Sequence, residues 1–271
     1  MPIIILFCVL AAAVLIWFIR KRLRQTRMQT LAATPLEARQ ITLLQENVGL
    51  YPLLPESLRL QLHGLIQIFL DEKNFISRGV EITDEVKLTI AGNACLLLLQ
   101  SNKKTFPGFT SILVYPETYV AHQTTHDGAL QTKETSRRAG ESWMRGPVVL
   151  SWSDVVRGSV NANDGHNVVI HEFAHKLDEQ TGQMDGLPLL REQSHYAEWS
   201  KILGAEYISL QERAKRRKNK VLDTYGTVSP PEFFAVATES FFEKPRQMKS
   251  RLPDLYHQLK TFYQLDPEAW R

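Results

Sequence analysis

The stretch NVVIHEFAHKLD, residues 167–178, holds residue types that can do chemistry. His171 and His175 are four apart, so a helix turns both imidazoles to one face. Two nitrogens at that spacing can grip one zinc ion, and H-E-x-x-H is the pattern that zinc hydrolases use. Glu172 follows His171 by one residue, about 100° further round the helix. It cannot share the ligand stripe equally, but it can hold a water on the metal. Zinc lowers the pKa of such a water towards about 7, and a glutamate can then take its proton. The competing reading is two surface histidines beside an unrelated acid. Val168, Val169, Ile170, Phe173, Ala174 and Leu177 argue against it, because they make the helix apolar on most of its circumference. Imidazoles in such a setting need partners, and a metal is one.

Zinc in a hydrolase needs a third protein ligand and keeps a fourth position for water. The longer motif with a third histidine requires glycine at 178 and histidine at 181. This chain has Asp178 and Thr181, which excludes that class. An acid from a later helix is the alternative, and SPPEFFAVATESFF (229–242) is the best candidate. Ser229 can cap, Pro230 and Pro231 suit a first turn, and the phenylalanines bury the helix. Glu232 and Glu239 are seven apart and fall on nearly one stripe, so spacing does not choose between them. Two acids on a solvent face remain the plain alternative.

GHNVVIHEFAHKLD, YGTVSPPEFFAVATESFFEKP and GESWMRGPVVLSWSDV together resemble the family of Mlc titration factor A. These are bacterial zinc peptidases related in their catalytic core to anthrax lethal factor. The resemblance covers residues 50–267. It implies a gluzincin-like site with one zinc per chain, held by His171, His175 and Glu232, with Glu172 as general base. It also implies that Tyr225, seven residues before the third ligand, helps the oxyanion with its phenol. Asn167, Asp178 and Glu239 are candidates for orienting a ligand imidazole. The activity implied is peptide hydrolysis of aminopeptidase type. The family prototype also binds and inactivates the glucose repressor Mlc, which affects sugar phosphotransferase expression. A second class of function is therefore a repressor-binding protein with little or no catalysis.

Other elements must position these residues. Residues 54–75 and 83–100 have helical apolar spacing, with Ser57 near the start of the first and Thr83 as an N-cap of the second. TSILVYP (110–116) and PVVLSW (147–152) are short β-branched runs that read as strands. Residues 117–146 read as loops with one further short strand, and His122 and His126 as loop histidines. His63 has no spaced partner and reads as a surface or capped residue. KRRKNK (215–220) reads as a solvated turn or helix end, and LPDLYHQLKTFYQLDPEAW as helical. The expected fold is α+β, mostly helical: a zincin-like domain over 50–271 with a small sheet beside the active-site helix.

The 271 residues suffice for such a domain, and 44% hydrophobic against 23% charged content supplies a core. Two cysteines give neither a disulfide framework nor a cysteine zinc knuckle, which suits a reducing compartment. The formal charge of +3 comes from one cluster. Arg20, Lys21, Arg22, Arg24 and Arg27 contribute five charges with no acid before residue 28, so the remainder carries 3 − 5 = −2. That balance does not suggest nucleic-acid binding.

Pro2 to Ile19 is a run of 18 uncharged residues, long enough as a helix for roughly 27 Å. A terminal helix apolar on all sides has no evident core partner. A cleaved signal would carry its basic residues before the run rather than after it. The expectation is a single-pass inner-membrane anchor over 1–22, a basic juxtamembrane and linker segment over 23–49, and a catalytic domain facing the cytoplasm. A soluble cytoplasmic chain is the alternative. The prototype is soluble, so the anchor is a departure from it. The partners expected are a peptide or protein substrate, an Mlc-like repressor and the membrane.

Overall fold

The protein is described from a computed structural model, which covers residues 2–101, 103–117, 119–127, 130–138, 140–142, 146–216 and 221–271. Helix α1 runs from Pro2 to Ala33 and α2 from Ala38 to Asn47. Next come α3 (Glu56–Glu72), β1 (Asn74–Ser77) and α4 (Asp84–Leu96). Strands β2 (Ser111–Tyr115), β3 (Tyr119–Asp127), β4 (Leu130–Arg138), β5 (Gly140–Ser142) and β6 (Val148–Ser151) follow. The rest is helical: α5 (Trp152–Val160), α6 (Val168–Asp178), α7 (His195–Lys215), α8 (Pro230–Glu243), α9 (Pro245–Arg251) and α10 (Pro253–Tyr263).

The main sheet has the order β1-β2-β6-β5. β1, β2 and β6 are parallel, and β5 closes one edge antiparallel to β6. All four residues of β6 are buried, as a parallel strand covered on both faces requires. Helix α4 crosses from β1 to β2, and Thr83 caps it as expected, its side chain accepting from Val86 N. The fold is thus mostly helical with a small sheet.

The segment 117–146 differs from expectation. Instead of loops it contributes β3, β4 and β5. β3 and β4 pair only with each other, from Tyr119 with Arg138 to Asp127 with Leu130. Their sequences, YVAHQTTHD and LQTKETSRR, lack period-2 apolar alternation and so carry no strand signal. His122 and His126 lie in β3, where a separation of four residues is roughly 13 Å. In the basic run 215–220, Lys215 ends α7, and 217–220 lie outside the described residues.

The N-terminal expectation also changes. Among the described residues no helix is long and apolar enough to cross a membrane. No proline or glycine interrupts the basic stretch, so the helix carries on to Ala33 and packs on α3. Arg24 pairs there with Glu72 at 2.7 Å, and Arg27 pairs with Asp71. Residues 34–49 are more than a linker, since Leu36, Leu44 and Val48 belong to the core.

That core centres on α6 and α8. Phe173 of α6 meets Phe69, Phe106 and Phe109 at ring distances of 5.6, 4.9 and 5.9 Å. Phe241 and Phe242 of α8 pack on Tyr263 at 5.6 and 5.2 Å. Both helices are held by aromatic faces, which fixes the polar faces they turn towards each other.

Candidate metal centre

Helix α6 begins at Asn167, whose side chain accepts from Ile170 N at 3.1 Å. Helix α8 begins at Ser229, whose hydroxyl accepts from Glu232 N at 3.4 Å, with prolines in the first turn. The caps set where each helix starts, and therefore which residues meet where they cross.

At the crossing, His171 Nε2 lies 2.8 Å from Glu232 Oε2, and His175 Nε2 lies 3.4 Å from the same oxygen. The two imidazoles stand at 83° with centroids 4.9 Å apart. One ligand atom from each of His171, His175 and Glu232 falls within 4.8 Å of the others, and this is the one such group among the described residues. Ligands about 2.0–2.1 Å from a tetrahedral zinc would stand roughly 3.4 Å apart, so small side-chain adjustments would suit the ion.

The back of the site supports that fit. His171 Nδ1 lies 2.8 Å from Glu239 Oε1, and a carboxylate there fixes the ring tautomer that leaves Nε2 for a metal. Glu239 Oε2 accepts Asn167 N at 2.6 Å, so the carboxylate is itself held. His175 Nδ1 and Asp178 Oδ1 are buried side-chain atoms with no hydrogen-bond partner in the structure. Asp178 instead uses Oδ2 to accept Gly186 N at 2.8 Å. The hydrogen bonds of Asn167 go to Glu239, Asn93, Gly158, Glu243 and Ile170. Among the described residues, Glu239 is the orienting candidate that hydrogen-bonds a histidine ring, while the charge of His175 acts on Asp178.

The electrostatics follow from this crowding. Burial opposes charge on His171, but hydrogen bonds with Glu232 and Glu239 outweigh it and hold the ring pKa well above its ordinary value. Burial likewise disfavours ionised Glu232, yet His171 and His175 hold it well below the usual carboxylate range. Burial pushes Asp178 up to about 6 against the Gly186 hydrogen bond. Glu172 is buried on the same helix, and the charge of Lys176 lies within its electrostatic reach. Lys176 itself is fully buried, 3.1 Å from Glu179.

Tyr225 lies in a short 3-10 turn over 224–227. Its ring is 5.9 Å from that of His171, and the residue is half exposed. A phenol at the mouth of the site can reach a group bound there. Sequence reasoning passed over Glu243, which is buried behind Glu239. The signal was available: positions 232, 239 and 243 share one helical stripe.

Comparison with known proteins gives a consistent picture. The family described as Glucose-regulated metallo-peptidase M90 matches residues 20–264. An uncharacterized protein of Synechocystis sp. is 38% identical over 244 residues, 89% of each chain. Mlc titration factor A of Klebsiella pneumoniae subsp. pneumoniae is 34% identical over 219 residues, 77% of this chain and 81% of that one. Mlc titration factor A of Escherichia coli O7:K1 is 33% identical over 228 residues, 82% and 84% of the two chains.

Proposed function

The chain belongs to the M90 family of glucose-regulated metallopeptidases, and from that premise we propose that it hydrolyses peptide bonds with one zinc ion per chain. The observation that carries the reading is the convergence of His171, His175 and Glu232 within 4.8 Å, with Glu172 on the same helix as both histidines. In this reading the three side chains hold the ion, giving a gluzincin-like site. An ion held there would supply Lewis acidity, the chemistry that activates a water and polarises a carbonyl. Glu172 takes the proton from the attacking water and delivers it to the leaving amine. Tyr225 donates its phenolic hydrogen to the oxygen that gains negative charge as the carbonyl carbon becomes tetrahedral. Glu239 keeps the His171 tautomer. A structural zinc site would need no general base and would close its fourth position with protein.

Within that activity, aminopeptidase-type cleavage of small peptides is the reading drawn from family resemblance. The name of the relatives, Mlc titration factor A, favours a second reading in which the chain binds an Mlc-type repressor. The two readings are compatible.

The test compares metal content and aminoacyl-nitroanilide hydrolysis in wild type, Glu232→Ala and Glu172→Gln. Wild type should hold about one zinc per chain and cleave. Glu232→Ala should lose both. Glu172→Gln should keep zinc and lose on the order of 10²- to 10⁴-fold in rate. Zinc without cleavage would move the weight to repressor binding. No zinc in wild type, even after addition, would sink the peptidase reading.

A further inference from the structure

Behind the ligand atoms lies a buried polar network centred on Glu243. This last residue of α8 is 1% exposed. Its Oε2 accepts the backbone N–H of Gly165 at 2.9 Å and of His166 at 3.1 Å. Its Oε1 accepts Asn167 Nδ2 at 3.1 Å. All three donors belong to the chain leading into α6. Asn167 Nδ2 also reaches Asn93 Oδ1 of α4 at 2.9 Å, and Asn93 Nδ2 reaches Ser159 Oγ of α5 at the same distance. The backbone N–H of Asn167 goes to Glu239 Oε2, and Glu239 Oε1 faces His171.

Glu243 is a poor choice for its own helix. An acid in the last turn opposes the negative end of the helix dipole. Burial pushes its carboxyl up to about 9, a cost that an apolar side chain would avoid. Its contacts are instead made to the start of α6, where backbone N–H groups and the positive end of the dipole favour an acceptor. Its two oxygens accept all three donors, an arrangement that uses both as acceptors.

We propose that Glu243 is a positioning residue for the metal centre, pinning Asn167 and, through Asn167 and Glu239, fixing the ring of His171. The inference rests on the metal-site reading above. Glu243→Gln is the sharp variant. Its amide oxygen can still serve the two backbone donors, but its NH2 would face Asn167 Nδ2, donor against donor. Asn167 cannot turn over to relieve this without giving up its cap on Ile170.

The experiment uses the full chain as wild type, Glu243→Gln, Glu243→Ala and Thr238→Val. Thr238 is a buried control on α8 whose hydroxyl bonds Tyr263 OH at 3.0 Å, outside the network. Three quantities are read: the zinc dissociation constant by chelator competition, the visible spectrum of the cobalt(II)-loaded chain, and Tm. Glu243→Gln should weaken zinc about tenfold and shift the cobalt bands, and Glu243→Ala should weaken it by up to about a hundredfold. Thr238→Val should lower Tm and leave affinity and spectrum alone. If Glu243→Ala fails to fold, Glu243→Gln decides. Wild-type affinity and spectrum in Glu243→Gln, whatever its Tm, would leave Glu243 a purely structural role and overturn the inference alone. A wild-type chain that takes up no metal would overturn both readings.

Discussion

His171 and Glu232 hold each other in charged forms that burial alone would disfavour. His171 holds its proton more tightly than a free imidazole because Glu232 and Glu239 outweigh its burial. A metal must displace that proton, since the same Nε2 faces Glu232 and would face the ion. The direction is therefore set. Below the folded His171 pKa the proton competes, and the apparent affinity for zinc climbs as pH rises towards that pKa. Chelator competition at about pH 6 and about pH 8 should show tighter binding at the higher value. Calorimetry in two buffers of different ionisation enthalpy should show proton release on uptake. Affinity flat with pH, without proton release, would mean His171 is not the competing group.

Several elements meet at Gly186. Its N–H goes to Asp178 at the end of α6, and its carbonyl accepts Trp199 Nε1 of α7 at 3.2 Å. Its φ of +80° lies in the left-handed region, and an added Cβ would sit 2.8 Å from Pro230 O at the start of α8. Only glycine meets both conditions. Gly186→Ala should cost about 2 kcal/mol or more in urea denaturation, combining the left-handed penalty with displacement of α8. A change below about 0.5 kcal/mol would show that the junction is loose. The glycine itself is plain in the sequence, but nothing local tells that three helices converge on it.

Across the whole molecule, stability and surface character separate along α1. Leu10, Val14, Leu15, Ile16, Trp17, Phe18 and Ile19 are each about half exposed, whereas α1 beyond Arg20 packs on α3. Gly64 of α3 allows that approach, because a Cβ there would lie 2.6 Å from Ala32 O. A chain starting at Arg20 should keep the unfolding free energy of the full chain to within about 0.5 kcal/mol. It should also stay monodisperse where the full chain self-associates in detergent-free buffer, because the contiguous apolar surface is gone. A large loss of stability on this truncation would mean that the first half of α1 packs on the domain. A second deletion, starting at Thr34, should cost more, since it strips the cover from α3.

The sequence by itself determined what one helix can express. The 3.6-residue repeat puts His171 and His175 on one face, and Thr83, Ser229 and Gly182 mark element ends through local hydrogen bonds and backbone preference. Tertiary structure decided everything that depends on two elements crossing. Glu232 and Glu239 share a stripe on α8, and spacing treats them alike. Only the packing of α8 on α6 brings Glu232 to both Nε2 atoms and Glu239 to the far side of His171. The same limit hid β3 and β4, which pair with each other. Glu243 shares the α8 stripe as well, but only the start of α6 explains an acid that looks misplaced on its own helix. Periodicity is a property of one chain segment, whereas the choice among equivalent side chains is made by long-range contacts between segments.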